Sequence, residues 1–233
     1  MKELQPKISV LIIVYNEITH IEELINHLNF ADEIIVIDAF STDGTFEKLM
    51  TYPEVKTIQR KFLNFSDQRN FAIKQATKDW ILFIDADERI TPKLKDSILE
   101  GVKNKKNIIA FQFPRKFVFK NKIMRFSGLQ TDKVFRLFKN GSATYFQHKI
   151  VHEQLDVNGK EGIMKHYMLH YSFSGVNQYK NKIEHYALLK AQELLKKGKK
   201  PNGYHYYIRP AYKFISNYIL RLGILDGNAG YII

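Results

Sequence analysis

The feature that most constrains the fold is a regular alternation of apolar, β-branched runs with stretches whose apolar residues recur at helical spacing. Residues 8–14 read Ile-Ser-Val-Leu-Ile-Ile-Val, the composition of a strand buried on both faces. Residues 18–28 carry apolar side chains every three or four positions, which predicts an amphipathic helix. The pattern continues with predicted strands at 33–38, 55–59, 80–85 and 108–113, and with helices at 66–77, where Ser66 is the expected cap, and from Pro92. This alternation predicts an α/β fold with a mostly parallel sheet and helices on both faces.

The pattern changes after residue 113. Short aromatic-rich segments predict a few added antiparallel strands, at 117–119, 134–138, 143–146 and 166–172. Lys139-Asn140-Gly141 is a predicted turn between two of them. A lysine-rich amphipathic helix is predicted over 178–198. The expected organisation is one domain over residues 1–177, divided into a segment of residues 1–112 and a segment of residues 113–177, followed by a basic, aromatic-rich helical tail over 178–233.

Charge is distributed unevenly along the chain. Residues 1–100 hold 12 Lys and Arg against 17 Asp and Glu, whereas residues 101–233 hold 24 against 7. A basic half attracts anionic lipid, nucleic acid or a phosphorylated acceptor, although a solvated basic surface is equally compatible with the charge alone. The absence of cysteine excludes disulfides and thiolate chemistry. No apolar run is long enough for a membrane-spanning helix, which favours a cytoplasmic protein that lies on a membrane.

Polar and acidic residues follow three of the predicted strands at the point where each strand ends. They are Tyr15-Asn16-Glu17, Asp38 and Asp85-Ala86-Asp87-Glu88. Because ligands of parallel α/β sheets bind outside the carboxyl ends of the strands, these residues should share one rim. Two carboxylates one residue apart after a buried strand suit Mg²⁺ or Mn²⁺, which can hold a diphosphate. A merely solvated turn is the alternative for Asp85-Ala86-Asp87.

Two further residues complete the predicted site. Asp38 can accept hydrogen bonds from a nucleotide base or ribose, or can simply cap the helix that follows it. Arg69, in Gln68-Arg69-Asn70, can pair with Asp38 or Asp85 or touch a diphosphate; by itself it would be an ordinary surface arginine.

These motifs together resemble family 2 glycosyltransferases of the GT-A fold. The likeness rests, over residues 8–100, on Tyr15-Asn16-Glu17, Asp38 with Ser41-Thr42-Asp43-Gly44-Thr45, Gln68-Arg69-Asn70 and Asp85-Ala86-Asp87. The second half resembles the lipopolysaccharide-core β-1,4-glucosyltransferase subgroup, through Phe135-Arg136-Leu137-Phe138, Val151-His152-Glu153, Leu169-His170-Tyr171-Ser172 and Leu225-Asp226-Gly227. Two departures stand out: Ala39 replaces a second acidic residue, and Phe40 replaces the usual glycine before Ser41.

The resemblance implies an inverting transfer from a nucleotide-sugar, with a UDP-sugar as the leading donor and glucose as the leading sugar. It assigns nucleotide-sugar binding to Tyr15, Asn16, Glu17, Asp38, Arg69, Asp85 and Ala86, all within residues 1–112. It assigns the Mn²⁺ or Mg²⁺ to Asp87 and Asp85, with His170 as a further ligand or as a structural strand residue. Glu153 is the candidate general base, within residues 113–177, the segment that would bind the acceptor. Glu88 is the competing base, with Glu17 behind it.

The expected partners are the donor, a saccharide or lipid-linked acceptor of the cell envelope, and an anionic membrane surface, which would place the protein on the cytoplasmic face of the inner membrane. Two rival functions are less favoured. A basic nucleic-acid-binding module would suit the second half but would leave the acidic strand ends unexplained, so no nucleic acid is expected. A sugar nucleotidyltransferase normally has a Gly-rich phosphate loop after its first strand, and Val14-Tyr15-Asn16-Glu17 has none.

Overall fold

The computed structural model of the chain describes residues 5–103, 107–146, 155–173 and 175–232. Its contacts divide the chain into two compact units. Unit 1 comprises Met1–Pro114 and Lys133–Met168, and unit 2 comprises Arg115–Asp132 and Leu169–Ile233. The division expected at residue 177, between a domain over residues 1–177 and a tail over 178–233, was made by function, and it stays a prediction.

The described strands and helices follow the predicted order. The strands are β1 (Ile8–Val14), β2 (Glu33–Asp38), β3 (Val55–Gln59), β4 (Trp80–Phe83), β5 (Glu88–Ile90), β6 (Ile108–Phe119), β7 (Lys122–Ile123), β8 (Lys133–Lys139), β9 (Ala143–Tyr145), β10 (Leu155–Val157), β11 (Lys160–Ile163) and β12 (Met168–Phe173). The helices are α1 (Ile18–His27), α2 (Thr45–Leu49), α3 (Phe65–Gln75), α4 (Pro92–Lys103), α5 (Val176–Lys196), α6 (Arg209–Phe214) and α7 (Asn228–Ile232).

The sheet of unit 1 runs in the order β3-β2-β1-β4-β8-β6. Its first four strands are mutually parallel, and β8 lies antiparallel to both β4 and β6. Strand β11 adds to β6 in parallel, and β9 and β10 form a separate antiparallel pair. The mostly parallel sheet with added antiparallel strands is therefore confirmed.

Strand β1 is buried on both faces, as its continuous apolar run predicts. Val10 and Ile12 join one core cluster, which includes the apolar faces of α1 and α4, such as Leu24 and Ile98. Leu11, which points to the opposite face, joins a second cluster that includes side chains of α3 and β9. Helices therefore cover both faces of the sheet, and this burial is the main force that fixes the strand ends.

Some element limits differ from those predicted. The cap of α3 is Asn64, not Ser66: its side chain accepts a hydrogen bond from the Asp67 N–H at 2.9 Å, and the hydroxyl-bearing Ser66 lies buried one position inside the helix. Strand β4 ends at Phe83, because Asp85 already belongs to the turn that leads to β5. The predicted segments 108–113 and 117–119 form one strand, β6. The Lys139-Asn140-Gly141 turn is confirmed, but the strands that it joins, β8 and β9, do not pair with each other.

Unit 2 contains the end of β6, strand β7, most of β12 and the helical tail. Asp226 is a buried acid of this unit, 3% exposed. Its carboxylate accepts hydrogen bonds from the backbone N–H groups of Arg125 and Phe126 at 2.9–3.2 Å. The Arg221 carbonyl accepts a further bond from the Ser127 N–H at 3.1 Å. The Leu225-Asp226-Gly227 motif therefore ties the end of the chain to the turn after β7. Among the described residues, no helix is long and apolar enough to cross a bilayer.

Candidate functional site

The predicted rim is formed by the ends of three neighbouring parallel strands of unit 1. Val14, the last residue of β1, lies opposite Asp38, the last residue of β2. On the other side of β1, β4 pairs in parallel, and the Ile84 N–H donates to the Leu11 carbonyl at 3.1 Å. The residues that follow these strands, including Tyr15 and Asp85, therefore leave the sheet along the same edge. This confirms the geometric premise drawn from the sequence.

The loops after β1 and β2 are held together by hydrogen bonds between their residues. The Asn16 N–H donates to the Ser41 hydroxyl at 2.9 Å, and the Asn16 side-chain oxygen accepts from the Thr42 N–H at 2.8 Å. At the start of α1, the Glu17 N–H donates to the Thr45 hydroxyl at 2.9 Å, and the Ile18 N–H donates to the Asp43 carboxylate at 3.1 Å. The Ser-Thr-Asp-Gly-Thr motif therefore builds the rim, and it leaves the Tyr15 side chain 59% exposed.

Asp38 is fully buried, and its carboxylate is engaged within the rim. It accepts hydrogen bonds from the N–H and hydroxyl of Ser41 and from the Gln59 side-chain amide at 3.0 Å. It therefore orders the loop before α2, as the capping alternative expects, although its nearest bonds are to the loop itself rather than to the helix end. A carboxylate oxygen has two lone pairs, so these bonds still leave acceptor capacity.

Asp85, the first acid of the Asp-Ala-Asp turn, lies between two buried arginines. Arg69 donates to its Oδ1 at 2.8 Å, and Arg136 from β8 forms an ion pair with its Oδ2. The guanidinium of Arg69 also lies over the rings of Phe83 and Tyr145, 5.1 and 5.3 Å from their centroids. Of the two carboxylate partners considered for Arg69, the structure shows Asp85. Each Asp85 oxygen keeps a second lone pair, so ligation of an ion would add to these contacts or replace one of them.

Glu88 shares the second arginine and is completely buried. Its Oε1 accepts from Arg136 at 2.7 Å, and its Oε2 accepts from the Asp85 N–H at 3.0 Å. Burial disfavours the charge on Arg136, but the neighbouring carboxylates of Asp85 and Glu88 outweigh it and raise the arginine's pKa. Glu88 thus shapes the acidic turn, and it could take an acceptor proton only after leaving these partners.

Arg136 belongs to a motif of the sequence for which no role was predicted. A charged residue inside the apolar run Val134-Phe135-Arg136-Leu137-Phe138 was the available signal, because an arginine buried in a strand needs carboxylate partners. Asn70 had no predicted role either. Its side-chain amide exchanges two 2.8 Å hydrogen bonds with the backbone of Tyr145, so that α3 holds strand β9.

Asp87, the second acid of the turn, lies on a different side of the site. It is partly exposed, and its charge acts on His20 of α1, whose pKa is nevertheless lowered by burial and by Arg89. Glu17 also faces this imidazole, with its Oε2 3.9 Å from Nε2. Arg89 is buried and donates to the carbonyl of Ala86 at 2.7 Å, which fixes the turn between the two aspartates.

A metal ion would find partly exposed carboxylates here, among them Asp87 and Asp85, rather than a closed cage. Within the described ranges, no three acidic or histidine side chains are grouped so as to hold an ion. Mg²⁺ beside a nucleotide is commonly held by one or two carboxylates, substrate phosphates and water, so Asp87 fits an open site of this kind.

Two candidates remain, His170 and Glu153. His170 belongs to β12 in unit 2, where its Nε2 lies 2.8 Å from the Ser172 hydroxyl and its ring centroid lies 4.8 Å from that of Phe117. Glu153 lies outside the described residues.

A mostly parallel sheet with helices on both faces, and with polar loops at the carboxyl ends of its strands, defines an α/β protein of the class that binds ligands at this edge. Comparison identifies its family. The family model "Glycosyl transferase family 2" matches residues 9–159. The chain belongs to this family, and its fold is of the GT-A type.

Two relatives cover nearly the whole chain. Uncharacterized glycosyltransferase RC0292 of Rickettsia conorii (strain ATCC VR-613 / Malish 7) is 30% identical, over 99% of this chain and 86% of the relative. Lipopolysaccharide core biosynthesis glycosyltransferase LpsC of Rhizobium meliloti (strain 1021) is 25% identical, over 91% of this chain and 80% of the relative. The chain is accordingly a glycosyltransferase with a cell-envelope relative.

Similar solved structures are matched over smaller shares. S. aureus TarS 1-349 aligns with a TM-score of 0.49 and 20% identity, over 71% of this chain and 60% of that one. Mannosyltransferase PcManGT from Pyrobaculum calidifontis, in complex with GDP-Man and Mn²⁺, aligns with a TM-score of 0.42 and 23% identity, over 47% of this chain and 36% of that one.

Proposed function

We propose that this glycosyltransferase moves a sugar, with glucose as the leading candidate, from a UDP-sugar to a saccharide or lipid-linked acceptor of the cell envelope, with inversion at the anomeric carbon. The observation that carries the proposal is the convergence of Tyr15, Asp38 and the Asp85–Asp87 turn on the ends of three adjacent parallel strands. The name of the relative LpsC supports a lipopolysaccharide-type acceptor.

The donor roles divide between the two sides of this rim. Tyr15 would lie along the base, and Asp38 would accept from the base or ribose with the acceptor capacity that Ser41 and Gln59 leave. Asn16 and Glu17 would border the same region of the nucleotide. Arg69 and Asp85 would act as a neutralised pair that orders the turn, with Ala86 at the donor.

A Mn²⁺ or Mg²⁺ ion would be held by Asp87, with Asp85 as a further candidate ligand; for His170 the support is the sequence resemblance alone. When bound, the ion offsets the negative charge of the diphosphate and thereby improves it as a leaving group. The chain's own contribution is the placement of Asp87. Arg89 fixes the backbone of Ala86 immediately before it, and the ion pairs of Asp85 fix the residue before that.

The general base would be Glu153. In the proposed step the acceptor hydroxyl oxygen bonds to the anomeric carbon, the carbon–oxygen bond to the diphosphate breaks, and Glu153 takes the hydroxyl proton. The support for the assignment is the resemblance of Val151-His152-Glu153 to the motif of the lipopolysaccharide-core subgroup.

The tail is proposed to rest on an anionic membrane surface on the cytoplasmic side. Large apolar side chains are exposed along it: Tyr204, Tyr206, Tyr207, Ile208, Tyr212, Phe214, Ile215, Ile219 and Leu220. Six Lys and Arg lie between residues 197 and 233, against the single acid Asp226, which is buried. Exposed aromatic residues mixed with unbalanced positive charge are complementary to anionic headgroups.

The donor site can be tested by thermal unfolding with UDP, GDP, CDP and ADP, each with and without Mn²⁺. UDP with Mn²⁺ should raise the unfolding temperature most, because a ligand at 100 times its Kd stabilises the native state by about 2.7 kcal/mol. No response to any nucleoside diphosphate would refute the proposal, and a response to oligonucleotides alone would favour nucleic-acid binding.

The membrane surface can be tested by sedimentation with anionic and neutral vesicles. Charge reversal at Lys196, Lys197, Lys199 and Lys200 should abolish binding to anionic vesicles while transfer to a soluble acceptor continues. A matched variant with reversed Lys56, Lys74, Lys93 and Lys103, all exposed in unit 1, should still bind. Equal sedimentation with both kinds of vesicle would contradict the electrostatic contribution.

A further inference from the structure

Two exposed aromatic residues, Tyr15 and Phe40, lie on the two neighbouring loops of the rim. The Val14 carbonyl accepts from the Ala39 N–H at 2.9 Å, and the Asn16 N–H donates to the Ser41 hydroxyl at 2.9 Å. Tyr15 and Phe40 are the residues enclosed between these two bonds, one on each loop. Their side chains are 59% and 53% exposed.

Phe40 combines an unfavourable backbone conformation with an apolar side chain that is exposed to solvent. Its φ is +59°, in the left-handed region, where a bulky residue is an outlier and glycine is favoured. Asn16, across the loop at φ +56°, is of a type that tolerates this region, and its side chain is used to bind the Thr42 N–H. Phe40 has neither property, and burial of its ring contributes little to the fold. The fold alone therefore does not account for a phenylalanine here.

The chemistry around the pair suits a flat, largely uncharged group. The chain neighbours of Phe40 are the uncharged Ala39 and Ser41, and the acid before them, Asp38, is buried and bound to Ser41 and Gln59. The metal-binding candidate Asp87 belongs to the turn after β4, on the other side of β1. Aromatic side chains bind planar bases by stacking, with little dependence on which base is present.

We propose that Phe40 forms an aromatic clamp with Tyr15 for the base of the nucleoside diphosphate donor, a role that rests on the proposed function. Phe40 supplies affinity through stacking, whereas it has no polar atom with which to choose among bases. The strained backbone at residue 40 is then the cost of presenting a ring where glycine would present none.

The test is Phe40→Gly, measured by calorimetry with UDP plus Mn²⁺ and by urea unfolding. Removal of a stacked ring should weaken UDP binding about 5- to 150-fold. Because glycine accepts a positive φ, stability should be unchanged or higher. Inorganic pyrophosphate plus Mn²⁺, which has no base, should bind Phe40→Gly and the unaltered protein equally. Phe40→Tyr should retain UDP binding, and so should Phe62→Ala, which removes another exposed ring of unit 1.

The outcomes separate the clamp from the function on which it rests. If Phe40→Gly binds UDP as the unaltered protein does, or loses UDP and pyrophosphate equally, the clamp is wrong while the donor site stands. If the unaltered protein binds no nucleoside diphosphate, the proposed function fails and the clamp with it.

Discussion

Replacement of Arg136 by methionine tests whether the arginine-bound acidic turn holds the site together. Arg136 is 4% exposed and forms ion pairs with both Asp85 and Glu88. Methionine fills most of the same volume without a charge. The two carboxylates would then be left with one fewer positive partner between them.

The size of the effect follows from the burial of the two partners. The Asp85 side chain is 26% exposed and keeps Arg69, so water and that arginine can compensate some of its loss. Glu88 is 0% exposed and loses the cation that balances it. Removal of one partner of a buried ion pair typically costs about 3–5 kcal/mol, and we expect Arg136→Met to fall in this range. Arg136→Met combined with Glu88→Gln should recover some of the loss, because it removes the uncompensated charge.

Urea unfolding followed by tryptophan fluorescence provides the measurement. Trp80 is the single tryptophan, it is 2% exposed, and it pairs with Lys139 on the same strand as Arg136. Lys48→Met, which removes the surface ion pair with Glu22, is the control and should unfold at the same urea concentration as the unaltered protein. A loss below about 1 kcal/mol in Arg136→Met would refute the reasoning, because that is the cost typical of exposed pairs.

Four further predictions concern the site and the stability of the fold. Asp87→Asn should abolish sugar transfer, and EDTA should do the same to the unaltered protein, while far-UV circular dichroism stays unchanged; full transfer in chelator would contradict the metal. Asp38→Asn should weaken UDP binding about 10- to 150-fold by calorimetry, the loss of one charge-assisted hydrogen bond, whereas lower stability with unchanged affinity would leave Asp38 only its loop bonds. Glu153→Gln should slow transfer about 10²–10⁴-fold with donor affinity unchanged, and a near-normal rate would place the base elsewhere. Burial raises the pKa of Glu33, but hydrogen bonds from Ser9 and Thr77 lower it more, so the folded-state pKa lies below that of the unfolded chain. The stability that Glu33 contributes is therefore present above the unfolded pKa and is lost as pH falls through the folded pKa. Between pH 5 and pH 3 the urea midpoint of Glu33→Gln should fall less than that of the unaltered protein.

The sequence was sufficient for the centre of the sheet because β1, β2 and β4 are buried along nearly their whole length. A continuous β-branched run such as residues 8–14 is most stable as a strand buried on both faces of a sheet. The positions of the acidic residues at the strand ends follow from that placement. The partners within the rim were harder to foresee, because they join residues far apart in the chain. Arg136 reaches Asp85 across 51 positions, and Tyr145 reaches Asn70 across 75. The periodicity of apolar residues along a helix or strand contains no information about such distant pairs.

Local limits were mispredicted where two residues compete for one role. Asn64 and Ser66 are both good caps, and only the direction of the chain entering α3 selects the first. Phe40 could be marked as unusual in the sequence, but its positive φ is visible only in the fold.

The hydrogen bonds that join the loops after β1 and β2 determine whether the proposed donor site becomes ordered during folding or only when the donor binds. A loop that becomes ordered only on contact with its ligand loses conformational entropy at that moment, and the measured affinity falls accordingly. Here Asn16, Ser41, Thr42 and Thr45 fix both loops by hydrogen bonds within the chain itself. These bonds order the loops when the chain folds, so the proposed donor would meet loops whose entropy is already lost. Substitutions that loosen these bonds would weaken donor binding through the flexibility of the free protein, even where they remove no atom that touches the donor.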